Sequence, residues 1–376
     1  MFVMELRRRV PADPATVWTM LADPDAMNRW SSARVVSLQP GDGGHPGGVG
    51  AVRHILLPRR LGRLTEVVER IDPPHRFEYR VIAGAPILGH LGRIELTAAG
   101  PSATDLRWHV EITAVTRVLE PVMRALLTGD LERSLDRLIE IAPTSIAGAL
   151  PPARTIDPGV DLLALRRAAR AVAAHQGDFA DELDRAGDPR GSFARVYQYV
   201  TEGLIDLADA GTFDHPAWLL RLLPVFDQFF TDNIVGTPEP HWQRAFAYIG
   251  HHQRRRATRF ELMVRTVFAG MRAHIEEDLP RTLAKVYVDH YAAVCDHARF
   301  RADYLRMKQA FTQAGTRIMH DFPRREWHPI ARLIDRVTPH ALRDSVIDRY
   351  VYPITRERRR AFTRAGELAE RLLARP

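Results

Sequence analysis

Cysteine and lysine are almost missing from this chain of 376 residues. Its single cysteine, Cys295, excludes an intrachain disulfide and points to a reducing cytoplasm. Lysine occurs only at Lys285 and Lys308, so the formal net charge of +7 is carried by arginine. The basic runs Arg254 to Arg256 and Arg356 to Arg360 sit in helical patterns with acids close by, and read as solvated helix faces rather than a nucleic-acid surface. No apolar run approaches the roughly 18 residues of a membrane span, and Met1 is followed almost at once by a predicted strand. Neither a transmembrane segment nor a signal peptide is expected. Three signatures are also absent: a phosphate-binding glycine loop, a Ser, His and acid arrangement, and His-Glu-x-x-His.

What is present suffices for two hydrophobic cores: 45% of the residues are hydrophobic and 26% charged. Residues 2–10 read as a strand ending at Pro11. Asp13-Pro14 then supplies an N-cap and a first-turn proline, and Asp23-Pro24 repeats the signal for a second short helix ending near Trp30. The glycine-rich stretch Gly41 to Gly48 predicts a long, flexible hairpin tip or gating loop. Strand patterns follow at about 49–57, 63–71, 76–83, 88–98 and 104–113. In the last, Leu106, Trp108, Val110 and Ile112 share one face and Asp105, Arg107, His109 and Glu111 the other, as in an antiparallel sheet with one wet face. Residues 118–140 predict a helix whose stripe is Leu119, Val122, Met123, Leu126, Leu127, Leu131, Leu135 and Leu138.

The predicted division is a first domain over 1–141, a Pro- and Ala-rich linker over 142–158 and an all-α domain over 159–376. Helices are expected in the second at about 160–175, 192–210, 216–231, 240–254, 259–279, 281–294, 297–315, 325–336 and 340–373. The fold class is thus α+β, a curved antiparallel sheet around a long helix, followed by a helical domain.

Several stretches carry a resemblance. In the first domain they are Asp13 to Trp18, Asp23 to Trp30, Val49 to Arg53, Leu64 to Glu66, Ile71 to Arg80, Thr104 to Trp108 and the final helix. As an ordered set they resemble the START-like and polyketide-cyclase-like helix-grip superfamily (SRPBCC). The resemblance implies a lidded cup for an apolar small molecule, in a superfamily that includes cyclases, dehydratases, lipid carriers and receptors. The second domain resembles an all-helical actinobacterial family of unknown function. The matching stretches are Phe193 to Thr201, Trp218 to Phe229, Gly270 to Pro280, Asp303 to Arg306 and Arg359 to Thr363. That family often has Asn before the Ala-His pair and a second His before the Asp, where this chain has Arg272 and Glu277.

Candidate ligand-binding residues in the cup are Trp30, Arg53, Tyr79, His90 and Trp108. His90 falls in phase with Leu88, Ile94 and Leu96, so it is either a base for an aldol-type cyclisation or dehydration, or a hydrogen-bonded core histidine. Arg53 reads equally as inward, holding a carbonyl or carboxylate, or as exposed. In the helical domain His274 and Asp278 are spaced i, i+4, with Glu277 beside them, and His290 and His297 stand two helical turns apart. These residues are candidates for a divalent-metal site, or His274 and Asp278 form a buried polar network joined by Arg272 or Tyr287. Three functional readings stay open. The chain is a cup that binds a polyketide-, lipid- or isoprenoid-like molecule and cyclises or dehydrates it, a non-catalytic carrier or sensor, or a metal-dependent hydrolase or oxidase acting in the helical domain.

Overall fold

The computed structural model describes residues 1–58, 62–84, 87–115, 120–151, 156–329, 332, 336 and 353–374. They form two compact units, Met1–Thr155 with Val294–Ala302, and Ile156–Ala293 with Asp303–Pro376.

In the first unit the strands are β1 (Phe2–Val10), β2 (Arg34–Gln39), β3 (Val52–Leu56), β4 (Arg63–Asp72), β5 (Arg76–Ala83), β6 (Ile87–Gly100) and β7 (Ala103–Ala114). They make one antiparallel sheet in the order β1-β7-β6-β5-β4-β3-β2. The first and last strands pair along their length, from Phe2 opposite Ile112 to Val10 opposite Thr104. Alternation divides the faces as expected. Phe2, Met4, Leu6, Leu106, Trp108, Val110 and Ile112 are buried, while Glu5, Arg7, Arg9, Asp105 and Arg107 form ion pairs on the wet side. Register shifts within β4 and at both ends of β6 bend the sheet. Strand β2 was not anticipated, because six residues with one buried valine carry too little alternation to be read as a strand.

Helices α1 (Pro14–Ala22) and α2 (Pro24–Trp30) start where their caps predict. Asp13 accepts from the backbone N–H of Ala15 and Thr16, and Asp23 from Asp25 and Ala26. Helix α3 (Glu120–Ile141) departs from its predicted stripe. Leu135 and Leu138 are fully buried, but Met123, Leu127 and Leu131 are half-buried and Val122 and Leu126 exposed; Leu119 lies outside the described residues. The second half of this helix is buried against the sheet, while the first half meets it more lightly, through half-buried Met123 and Leu127 and a hydrogen bond from Arg124 to the Val3 carbonyl.

The glycine-rich stretch is an ordered turn, not a flexible tip. Gly41 N–H donates to the His45 carbonyl, Gly48 N–H to the same oxygen, and Asp42 N–H to the Val49 carbonyl. The segment Val294–Ala302 completes it. Asp296 accepts from the N–H groups of Gly43 and Gly44 at 2.7 and 3.2 Å, and its own N–H donates to Asp42 at 3.0 Å. Arg301 donates to the Gly50 carbonyl. Composition alone suggests mobility, but glycine here permits positive φ at residues 43, 44 and 50 and close backbone approach.

The second unit is helical: α4 (Leu162–Arg185), α5 (Gly191–Asp209), α6 (Pro216–Val235), α7 (Pro240–Arg254), α8 (Arg259–Ala273), α9 (Leu279–His290), α10 (Arg301–Arg306), which begins in the Val294–Ala302 segment, α11 (Lys308–His320) and α12 (Ile354–Leu373). Helix α4 runs past its predicted end through Gly177, whose hydrogen face admits Gln198 of α5. The helix predicted at 259–279 ends as α8 at Ala273 and passes into a π-helical turn, His274–Asp278, which leads directly into α9. The helix expected at 297–315 is instead a 3₁₀ turn (His297–Phe300), then α10 and α11 broken at Met307. Within the predicted 325–336 helix the chain forms a 3₁₀ turn (Arg324–Glu326), and residues 330, 331 and 333–335 lie outside the described residues, as does the start of the predicted 340–373 helix. Asp303 accepts from the N–H groups of Asp214 and His215 and so caps α6. Tyr304 and Arg358 exchange hydrogen bonds between side chain and backbone at 2.7 and 2.6 Å, fixing α12. No helix among the described residues is long and apolar enough to cross a membrane.

Two glycine substitutions test the ordered turn. Gly44 has φ +67 with nothing near its missing Cβ, so Gly44→Ala should cost roughly 1 kcal/mol from backbone conformation alone. At Gly50 a Cβ would also lie 1.8 Å from the Ala298 carbonyl oxygen. Gly50→Ala should therefore cost about 3 kcal/mol in urea unfolding. Equal losses would show that Ala298 does not pack there.

Candidate functional site

The cup's inner face is set by register. Arg53 pairs with Glu66, Glu66 with Val81, Val68 with Tyr79, and His90 with Ile112, so all of these side chains lie on the concave side. Arg53, which the sequence left undecided, points inward and is fully buried. Its Nε donates to Glu66 Oε1 at 2.8 Å, its Nη1 reaches the Ala22 carbonyl and Met27 Sδ, and its guanidinium lies 5.1 Å over the Phe77 ring. With its charge matched inside the protein, Arg53 holds the sheet to the α1–α2 corner. Glu66 was missed as a site residue. Its signal was an acid in phase with Leu64 and Val68.

The aromatic candidates pack on one another. Trp30 is fully buried, donates from Nε1 to the Met20 carbonyl at 2.7 Å, and meets Trp108 edge to face at 6.4 Å. Trp108 Nε1 donates to Tyr79 Oη at 3.1 Å. Tyr79 reaches Trp108 by lying across Gly92, where any Cβ would strike its ring at 2.2 Å. Burial, then the nearby Glu66 carboxylate, push the Tyr79 phenol well above its ordinary pKa. Trp30 and Trp108 therefore belong to the core, and Tyr79, half-buried, stands at its edge.

His90 occupies a gap in the sheet. The β5–β6 ladder ends at Tyr79 opposite Gly92, and beyond it the Val81 N–H donates to His90 Nδ1 at 3.3 Å. The ring lies 5.4 Å from that of Tyr79. Accepting at Nδ1 places the proton of the neutral ring on Nε2. Burial, then the charge of Arg80, hold its pKa down to about 4. At neutral pH its basic lone pair is engaged and only an N–H is on offer.

The burial of the concave face is graded. Phe77, Ile94, Leu96 and Leu106 are buried at one end, while Ile55, Leu64, Val81 and His90 are half-buried at the other, as are Met123 and Leu127 of α3. Beside α3 lies an open groove of about 360 Å³, bordered by Ser32, Pro58, Ala125, Leu126, Arg133 and Arg137 among others.

In the helical unit His274 and Asp278 meet as predicted, Nδ1 to Oδ2 at 2.9 Å. Their other partners were not foreseen: His241 Nε2 and Trp242 Nε1 each reach Asp278 at 2.9 Å. Both come from the start of α7, and nothing in the sequence links that helix to Asp278. Arg272 is exposed and pairs with Glu276 at 3.4 Å, outside the network. Glu277 turns outward to Arg364. His290 ends α9 and His297 belongs to the other unit, so the pair does not share a helix face; the chain turns after Tyr287, whose carbonyl accepts from both Tyr291 and Ala292. Among the described residues no three His, Cys, Asp or Glu side chains are grouped to hold a metal ion.

Comparison with known proteins separates the same two parts. Residues 1–142 match the family described as polyketide cyclase / dehydrase and lipid transport, and residues 169–375 match a family of unknown function (DUF5995). Similar solved structures include a START superfamily protein from Mycobacterium smegmatis, 16% identical, covering 38% of this chain and 97% of that one with a TM-score of 0.34. Norcoclaurine synthase from Thalictrum flavum is 16% identical over 38% of this chain and 86% of its own, with a TM-score of 0.31. XoxI from Bacillus cereus is 18% identical over 38% and 96%, with a TM-score of 0.32. No curated protein matches the chain.

Two predictions follow from this geometry. Glu66→Ala leaves Arg53 buried without its counter-charge and should cost about 3–5 kcal/mol, whereas Arg53→Met with Glu66→Leu should restore most of it in denaturant unfolding. A double variant no more stable than Glu66→Ala would show that the pair is not self-contained. His90 is neutral in the fold down to about pH 4, while an unfolded histidine protonates near 6.5. The unfolded chain binds the extra proton between those values, so the His90 contribution is complete above about pH 6.5 and lost as pH falls toward 4. His90→Gln should flatten the stability profile in that window; an unchanged slope would mean that the imidazole is not held neutral.

Proposed function

The chain belongs to a family of unknown function (DUF5995) that names no activity, and we propose from its N-terminal unit that it binds a hydrophobic small molecule of polyketide, lipid or isoprenoid kind. The observation that carries this reading is the graded cup. An apolar concave surface that is sealed at one end and half-exposed at Ile55, Leu64, Val81, Met123 and Leu127 gives a ligand area to bury. The match of residues 1–142 to polyketide cyclases, dehydrases and lipid-transport proteins supports it. Arg133 and Arg137 at the adjacent groove would suit a polar or anionic end on the ligand.

Binding without acid-base turnover is favoured over cyclisation. A general base must have a free lone pair and a pKa near the working pH, and His90 has neither. Its role in this reading is to donate from Nε2 to a ligand carbonyl or hydroxyl. The reducing cytoplasm indicated by a lone cysteine is the proposed compartment.

A solvent-sensitive apolar fluorophore tests the site. The protein should bind 1-anilinonaphthalene-8-sulfonate, and Val81→Arg or Leu127→Arg should weaken binding at least about tenfold, the loss of about 1.4 kcal/mol. Unchanged affinity in both folded variants would remove the cup from the account. Native mass spectrometry of the purified protein then identifies any retained ligand.

A further inference from the structure

The interior of the helical unit contains a second polar centre, independent of the cup. The π-helical turn between α8 and α9 brings His274 Nδ1 to Asp278, and such turns often mark functional sites. The Asp278 carboxylate, fully buried, is hydrogen-bonded by three nitrogens, His241 Nε2, Trp242 Nε1 and His274 Nδ1, with the Arg281 guanidinium 3.6 Å away. A carboxylate only accepts, so it fixes the His274 proton on Nδ1 and leaves the lone pair on Nε2. That nitrogen sits at the opposite edge of the ring and has no hydrogen-bond partner within the protein, although the residue is 3% exposed.

The surroundings are aromatic. Phe226 stacks on the imidazole at 3.6 Å with an interplanar angle of 4°, Tyr197 stands edge-on at 4.9 Å, and Phe193, Phe230 and Trp242 complete the box. Gly270 lets α8 come close, since a Cβ there would lie 2.4 Å from the Phe193 ring. Other buried polar atoms in the neighbouring helices are also unsatisfied: Tyr197 Oη, Thr201 Oγ1 one turn on, and Gln176 Oε1. Gln176 Nε2 donates to Asp227 Oδ1 at 2.8 Å, and Asp227 lies within electrostatic reach of both His274 and Tyr197. Buried polar atoms without a hydrogen-bond partner are costly, and several together without one from the protein are uncommon in a native core.

We propose that His274 Nε2 and Tyr197 Oη, flanked by Gln176, bind an O–H group inside this aromatic box, contributed by a small hydroxyl-bearing molecule or by water. The bound hydroxyl donates to His274 Nε2 and accepts from the Tyr197 hydroxyl. Asp278 holds the imidazole in the required tautomer, as an orienting carboxylate does for a histidine that polarises a hydroxyl.

Tyr197→Phe in the full chain tests the assignment, because the sign of its effect depends on occupancy. If an O–H group is bound, removing the tyrosine hydroxyl strips it of a donor, and Tm should fall by roughly 2–4 °C. If the centre is dry, the same change removes an unsatisfied buried hydroxyl and Tm should rise, overturning the proposal. Long-range proton–nitrogen NMR of the wild-type imidazoles gives a second reading that needs no variant. His274 Nε2 should show the shift of a hydrogen-bonded acceptor, and the shift of a bare acceptor would overturn the proposal even if Tyr197→Phe fails to fold. Where the Tm and nitrogen readings disagree, the nitrogen shift decides. Native mass spectrometry separates the sources, since a hydroxylated organic molecule adds mass to the wild type that is lost in Tyr197→Phe, whereas water adds none.

Discussion

A carboxylate removed from water must be matched by donors, and that constraint organises the interior of both units. In the sheet, Glu66 is met by Arg53, and the same guanidinium reaches the Ala22 carbonyl and covers Phe77. Strand β3, the α1–α2 corner and the aromatic floor are thereby tied to one side chain. In the helices, Asp278 collects nitrogen donors from the start of α7 and from the π turn, which determines how α7, α8 and α9 meet. Apolar packing then fills the space around each charge, and the positions of Trp30, Trp108, Phe226 and Trp242 follow from it.

This constraint separates what was legible in the sequence from what was not. Local rules worked where the partner is local. Asp13 and Asp23 cap helices with prolines beside them, the alternation in β7 assigns its faces, and His274 finds Asp278 one turn away. They stopped where the partner is remote. His90 was placed correctly on an apolar face, but its basicity is lowered by burial and by the charge of Arg80, and its Nδ1 is engaged by the Val81 N–H across a break in strand pairing, which no pattern encodes. His241 and Trp242 stand 37 and 36 residues from Asp278, and no pattern in the sequence of their helix suggests the approach.

The glycine-rich stretch shows the converse failure. Gly41 to Gly50 has the composition of a mobile tip, yet the fold uses glycine there for close backbone packing against Asp296, Ala298 and Arg301. The α3 stripe failed in the other direction: its periodicity was correct, but its first half has too few partners across the sheet to bury Val122 and Leu126. Periodicity reports which face a helix offers, and only tertiary structure reports how much of that face is covered.

The place of Val294–Ala302 in the first unit has a consequence for the order in which the protein matures. The last strand and α3 of that unit are complete by Ile141, but the segment that Asp42 and Gly50 hold is encoded much later. With roughly 150 residues still to be translated at about 5–20 residues per second, the nascent sheet waits on the order of 10 s with its glycine turn unfilled. During that interval the turn is open to chaperones and to protease. Closure of the turn is therefore the last step in assembling this unit, set by the order of the gene itself.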